Sequence, residues 1–349
     1  MKWAIICGKI RDPIALSDNI NFLGKIKQQG LLQNIILSTW VNDLFLYPDI
    51  LSLVKKYEII ILENTEDLSI TDLKLKGNYL KQYIATHSAL TLCPPNSFIL
   101  KLRTDKSAHV DGFIHDKVSN LLQTNTSKFL NIDKSYNLNY RIGISQYPTA
   151  MSFYAPIIFF WDDKYYYGQK EDLLKIVNFN FLNLTSLSLC PEQSLWSNYF
   201  VNYHPEFTNF FEACNQQHIL DYLFFSTNWS NPEYVKDCQE FCGKEPLIVY
   251  CYLLEMHLLN KIAFNFHDQR IFNIRRLPDY VNHNQFFYED NNLKKINDYF
   301  SNKDLVLFDT KRIQRFLFKR YGVPRIQSFL KNKYKYDTTS YLHTNGLSI

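Results

Sequence analysis

A chain of 349 residues with 46% apolar content can bury a sizeable core, which excludes an intrinsically disordered polypeptide. A net charge of +4 is too small to make the whole protein a nucleic-acid binder, and no uncharged run reaches the roughly 18 residues of a transmembrane helix. Seven scattered cysteines, of which only Cys238 and Cys242 are close, complete neither a zinc site nor a disulfide framework; they fit reduced thiols in a cytoplasmic protein without a signal peptide.

In chain order, residues 3–7 read as a buried strand closed by Gly8. Ser17 or Asp18 is placed to cap a helix carrying Ile20, Leu23 and Ile26, which Gly30 ends. Residues 34–38 form a second strand, 50–56 a short helix and 58–62 a third strand. A helix over 78–92 is broken by Pro94 and Pro95 just before a fourth apolar run at 98–102. The strands are apolar without alternation and separated by helices, which predicts parallel pairing with both faces covered. A helix is expected over 110–123, a strand over 128–132 and a second apolar run over 151–161. Helices are expected at 171–177 and from Pro191 to about Phe200, and helical patterns dominate beyond 245. The fold class is therefore α/β, a central mostly parallel sheet with flanking helices and a helical C-terminal region. A catalytic domain is drawn at 1–210 and the helical region at 211–349, across a soft boundary.

Open α/β sheets bind ligands beyond the carboxyl ends of their strands, and the run at 98–102 ends in Arg103-Thr104-Asp105-Lys106. Asp105 is the residue there that can hold a divalent cation, while Arg103 and Lys106 can meet phosphate. The run at 151–161 likewise ends in Asp162-Asp163, and Glu192 opens a helix. Sugar transfer from a nucleotide donor needs a base for the acceptor hydroxyl and positive charge on the departing phosphate. Glu192 is the candidate base, and Asp162 and Asp163 the candidates for holding acceptor hydroxyls or for replacing it. Taken singly, each carboxylate reads equally well as a polar turn or a first-turn glutamate favoured by the helix dipole; their order and placement favour the active reading. Zincin, P-loop, dinucleotide and nucleophile-elbow motifs are all missing from the sequence.

Ser38-Thr39-Trp40, then Gln82 in an Asn78-x-x-x-Gln82 element, then Lys101-x-Arg103-Thr104-Asp105 resemble the WavE-type lipopolysaccharide-synthesis glycosyltransferases. Asp162-Asp163 with Gly168, and Pro191-Glu192-Gln193, resemble that family's downstream segments, so the likeness spans about residues 1–200. The resemblance implies a GT-A-like fold, a nucleotide-sugar donor, a divalent metal (manganese or magnesium), and Gln82 on the donor base or ribose. Arg103 departs from an Asp-x-Asp pattern, which leaves direct phosphate binding by Arg103 and Lys106 as the metal-independent alternative.

Between Lys311 and Lys335 nine Lys and Arg interleave with apolar residues at helical spacing. Such a segment suits either an ordinary surface helix or the anionic face of an inner membrane, where lipid-linked acceptors lie. The reading is a cytoplasmic, optionally peripheral, glycosyltransferase acting on a lipopolysaccharide or capsular glycan acceptor, with no nucleic-acid partner. The alternatives are a non-catalytic membrane-docking or glycan-binding module and a nuclease-like phosphoryl-transfer enzyme.

Overall fold

Short apolar runs joined by helices fold here as the pattern predicts, into one sheet with helices on both faces. The computed structural model describes residues 1–65, 79–108, 114–131, 133–144, 159, 161, 163–177, 191–204, 207, 254–255, 258–266 and 269, with side chains for all of these but 79, 80, 114 and 191–194. The first half runs β1 (Lys2–Cys7), α1 (Pro13–Gln28), β2 (Asn34–Trp40), α2 (Pro48–Lys56), β3 (Ile60–Asn64), α3 (Tyr79–Leu92) and β4 (Phe98–Arg103). Then come α4 (Ile114–Gln123), β5 (Ile142–Ile144), β6 (Tyr166–Gln169), α5 (Lys170–Ile176), α6 (Pro191–Phe200) and β7 (Ala263–Asn265).

The seven strands lie in the order β3-β2-β1-β4-β6-β5-β7. β3, β2, β1 and β4 pair in parallel, β6 runs antiparallel to both β4 and β5, and β7 is parallel to β5. Ala4, Ile6, Ile35 and Leu37 meet Leu16, Ile20, Leu23 and Val54 of α1 and α2 on one face. α3 covers β1, β2 and β3 on the other face, where its fully buried Ala85 and Ala89 let it approach closely.

Two expectations are corrected. Asp12, not Ser17 or Asp18, caps α1, accepting from the Ala15 amide at 3.0 Å, because Pro13 needs no hydrogen-bond partner in the first turn. Where a strand is expected from 128, the described residues form a 3₁₀ turn, Thr126–Phe129, started by Asn125, whose side chain accepts from the Ser127 amide; a bridge from Leu130 to Tyr140 follows. Past residue 245, the described residues include not only helix but also β7, which joins the edge of the sheet. The segment 311–335, and with it the basic helix read there, lies outside the described residues.

Two glycines matter to the packing. Gly8 has φ +126°, and a Cβ there would come 3.0 Å from Thr104 Oγ1, so this position after β1 suits glycine on both counts. A Cβ on Gly24, within α1, would come 2.4 Å from ring carbons of Tyr57, a buried ring whose hydroxyl donates to Asn21 Oδ1 at 3.2 Å. Helix propensity alone favours alanine there by about 1 kcal/mol. Overpacking against a pinned ring costs about 1–3 kcal/mol and wins. Gly24→Ala is thus expected to lower the urea unfolding midpoint; a raised midpoint would show that Tyr57 moves aside freely.

Candidate active site

The basin at the carboxyl ends of β1, β2 and β4 is lined by Cys7, Gly8, Lys9 and Arg11 after β1, by Trp40, and by Lys101 to Asp105 except Leu102. Lys81, Gln82, Ala85 and Thr86 of α3 close one side, and Asp163 closes the other. The basin is open to solvent, with a volume of about 70 Å³. Among the described residues, five basic side chains line it against two carboxylates.

At its centre Arg103 lies between two carboxylates. Its Nε donates to Asp105 Oδ1 at 2.7 Å and its Nη2 to Asp105 Oδ2 at 2.8 Å. Its Nη1 donates to both oxygens of Asp163, at 3.0 and 2.7 Å. Gln82 Nε2 adds a bond to Asp163 Oδ2 at 2.8 Å, and the buried Lys101 ammonium donates to the Asp163 carbonyl. Burial works against the charged form of Asp105, but the hydrogen bonds and charge of Arg103 outweigh it and hold its carboxyl below the ordinary range. The same balance, burial against Asp105 and Asp163, keeps the guanidinium protonated. Burial pushes the Cys7 thiol up to about 12 despite Lys101 and Thr86, which favours its protonated form.

Strand direction explains how residues 60 positions apart meet. β6 runs antiparallel to β4, with Tyr166 opposite Lys101, so the turn that enters β6 comes back to the lip where β4 ends. That turn is anchored from behind. Buried Glu255 accepts from the Phe159 amide at 2.7 Å and from Trp161 Nε1 at 2.6 Å, and Trp196 Nε1 of α6 donates to the Trp161 carbonyl at 3.2 Å.

Of the residues picked out from the sequence, Gln82, Arg103, Asp105 and Asp163 come together. Lys106 does not line this basin; it faces a separate depression with Asp12, Asp18 and Lys164 on the other side of Asp105. Asp162 lies outside the described residues. Glu192 sits in the first turn of α6, and its side chain is likewise outside them. In Ser38-Thr39-Trp40 only Trp40 reaches the basin: Ser38 donates to the Ala85 carbonyl at 2.7 Å and Thr39 to Asp43 at 2.9 Å, so both serve the scaffold. Lys9, Arg11 and Lys81 also line the basin without standing in any motif of the sequence, whereas Lys101 belongs to the Lys101-x-Arg103-Thr104-Asp105 element. Lys9 and Arg11 follow a strand end as Arg103 does, and that signal could have found them.

A divalent ion on Asp105 would have to share both of its oxygens with Arg103. Among the described residues no group of three or more His, Cys, Asp or Glu is placed to hold a metal. The donor set as described does not fit a divalent cation. No helix of the described residues is long and apolar enough to cross a membrane.

No family model and no curated protein sequence matches the chain. Among solved structures, the 4-diphosphocytidyl-2C-methyl-D-erythritol synthase of Anaerococcus prevotii DSM 20548 is similar at 15% identity, over 57% of this chain and 84% of that one, with a TM-score of 0.33. At that level the likeness supports no argument about function.

Glu255 also gives the protein a pH-dependent stability. Burial holds its carboxyl up at about 8, against the two N–H donors that favour ionisation. Between the ordinary glutamate pKa of about 4.3 and that value, the unfolded chain releases a proton that the native protein retains. This group therefore erodes stability as pH rises through that window, by at most ~1.4 kcal/mol per pH unit. Urea unfolding at pH 5.5 and 7.5 is expected to show the decline in the native sequence and a shallower one in Glu255→Gln, which keeps an acceptor for Trp161.

Proposed function

We propose that this protein is a GT-A-like glycosyltransferase that moves a sugar from a nucleotide-sugar donor to a lipopolysaccharide or capsular glycan acceptor. The observation that carries the reading is the cation-rich basin at the carboxyl lip of parallel strands, with Arg103 clamped between Asp105 and Asp163. A diphosphate seated there meets Lys9, Arg11 and Lys81, with Gln82 beside it, and the rest of the donor extends out of the small basin. Trp40 lines the same basin, with the Lys81 ammonium 5.8 Å from its ring centre.

In this scheme the acceptor hydroxyl gives its proton to Glu192 while its oxygen bonds to the anomeric carbon. The bond from that carbon to the donor phosphate breaks, and the nucleoside diphosphate leaves with the electron pair. The basic groups of the basin stabilise the charge that develops on it. Asp163 is held by Arg103 and Gln82, which suits positioning better than proton abstraction; Asp162 is left as the alternative contact for acceptor hydroxyls. A lipid-linked acceptor would be met at the membrane surface by the basic segment 311–335.

Titration calorimetry with uridine, guanosine, cytidine and adenosine diphosphates tests the donor site, with at least one expected to bind more tightly than ~1 mM. Heat from none of them would reject the reading. Glu192→Gln is expected to cut sugar transfer by about 100-fold or more while leaving nucleotide affinity within a few-fold. Full turnover in that variant would remove Glu192 as the base.

A further inference from the structure

We infer that Arg103 stands in the place of a divalent cation, so that the nucleotide diphosphate binds this basin without a metal ion. The inference rests on the donor-site reading above and specifies how that site balances charge. A metal holding a donor diphosphate needs a strand-end carboxylate with free lone pairs and several further oxygens around it, six or more for calcium and a near-octahedral set for magnesium. Here both oxygens of Asp105 take N–H groups from Arg103, and so do both oxygens of Asp163 across from it. The guanidinium thus sits between two opposed carboxylates, the position a bridging ion would take, and it is fixed by four bonds at 2.7 to 3.0 Å.

Admitting an ion would require Arg103 to leave and all four charge-assisted bonds to break, in a partly buried setting where such bonds are at their strongest. Gln82 and Lys101 brace the Asp163 side of the clamp from two further directions, which resists that rearrangement. With a guanidinium shared between them, the two carboxylates repel incoming phosphates less than two unpaired aspartates would. The charge of the diphosphate is instead met by the basic side chains that rim the basin, Lys9, Arg11 and Lys81.

The test is calorimetry of the full chain with the same four nucleoside diphosphates, once in EDTA and once in excess MnCl2. Binding in EDTA that manganese strengthens by less than about tenfold is the expected result. Binding seen only with manganese, or strengthened tenfold or more, overturns the inference while leaving the donor-site reading intact. No binding in either condition overturns both. Removing the guanidinium supplies a second readout: Arg103→Ala, checked for its fold by circular dichroism, leaves Asp105 and Asp163 facing one another. Electron paramagnetic resonance is then expected to show Mn2+ bound to the folded variant and not to the native protein without nucleotide. Stoichiometric Mn2+ on the native protein would overturn the inference, and if the variant does not fold, the native-protein titrations decide.

Discussion

One guanidinium between two carboxylates ties together the two halves of the candidate site. Arg103 ends β4 in the parallel half of the sheet, while Asp163 precedes β6 in the antiparallel half. A single carboxylate at that lip would be an exposed turn residue of little consequence. Opposed to a second one across a shared, half-buried guanidinium, it becomes part of a fixed polar floor. Charge-assisted, partly bidentate bonding of this kind restricts geometry as well as adding energy, because a planar fork satisfies two carboxylates in few orientations.

The neighbouring groups reinforce that floor instead of competing with it. Lys101 is almost fully buried on β4, yet its ammonium lies 5.1 Å from the centre of the Tyr166 ring and donates to the Asp163 carbonyl. A buried lysine without such partners would tend to lose its proton. Gln82 reaches the same aspartate from the first turn of α3, so side chains of two elements, β4 and α3, converge on Asp163. Lys9, Arg11 and Lys81 line the basin beside this floor.

Much of this was legible in the residues, and what was not has physical reasons. The strand at 98–103 announced itself because a short apolar run stops abruptly at charged residues, and the lip chemistry followed from its position in an α/β order. The partnership of Arg103 with Asp163 was not readable, because it depends on β6 returning antiparallel, and β6 is four residues of Tyr-Tyr-Gly-Gln with no period to recognise. β7 escaped for the same reason, three residues at a sheet edge next to helix. The helix cap at Asp12 was hidden by better-looking candidates at Ser17 and Asp18, one turn further on. Asp18 instead accepts from the Ser107 hydroxyl at 3.0 Å, tying α1 to the loop after β4.

The strut from Glu255 to Trp161 has a consequence for how the molecule is made. A growing polypeptide can assemble β1 to β4 and the Arg103–Asp105 pair as soon as those residues leave the ribosome. The turn bearing Asp163 gains the last of its anchors only after a glutamate 92 residues further along has emerged and buried itself. Nascent chains shorter than that can already pair Arg103 with Asp163 but lack the buried acceptor behind the turn, so the bracing of the basin is completed late in synthesis.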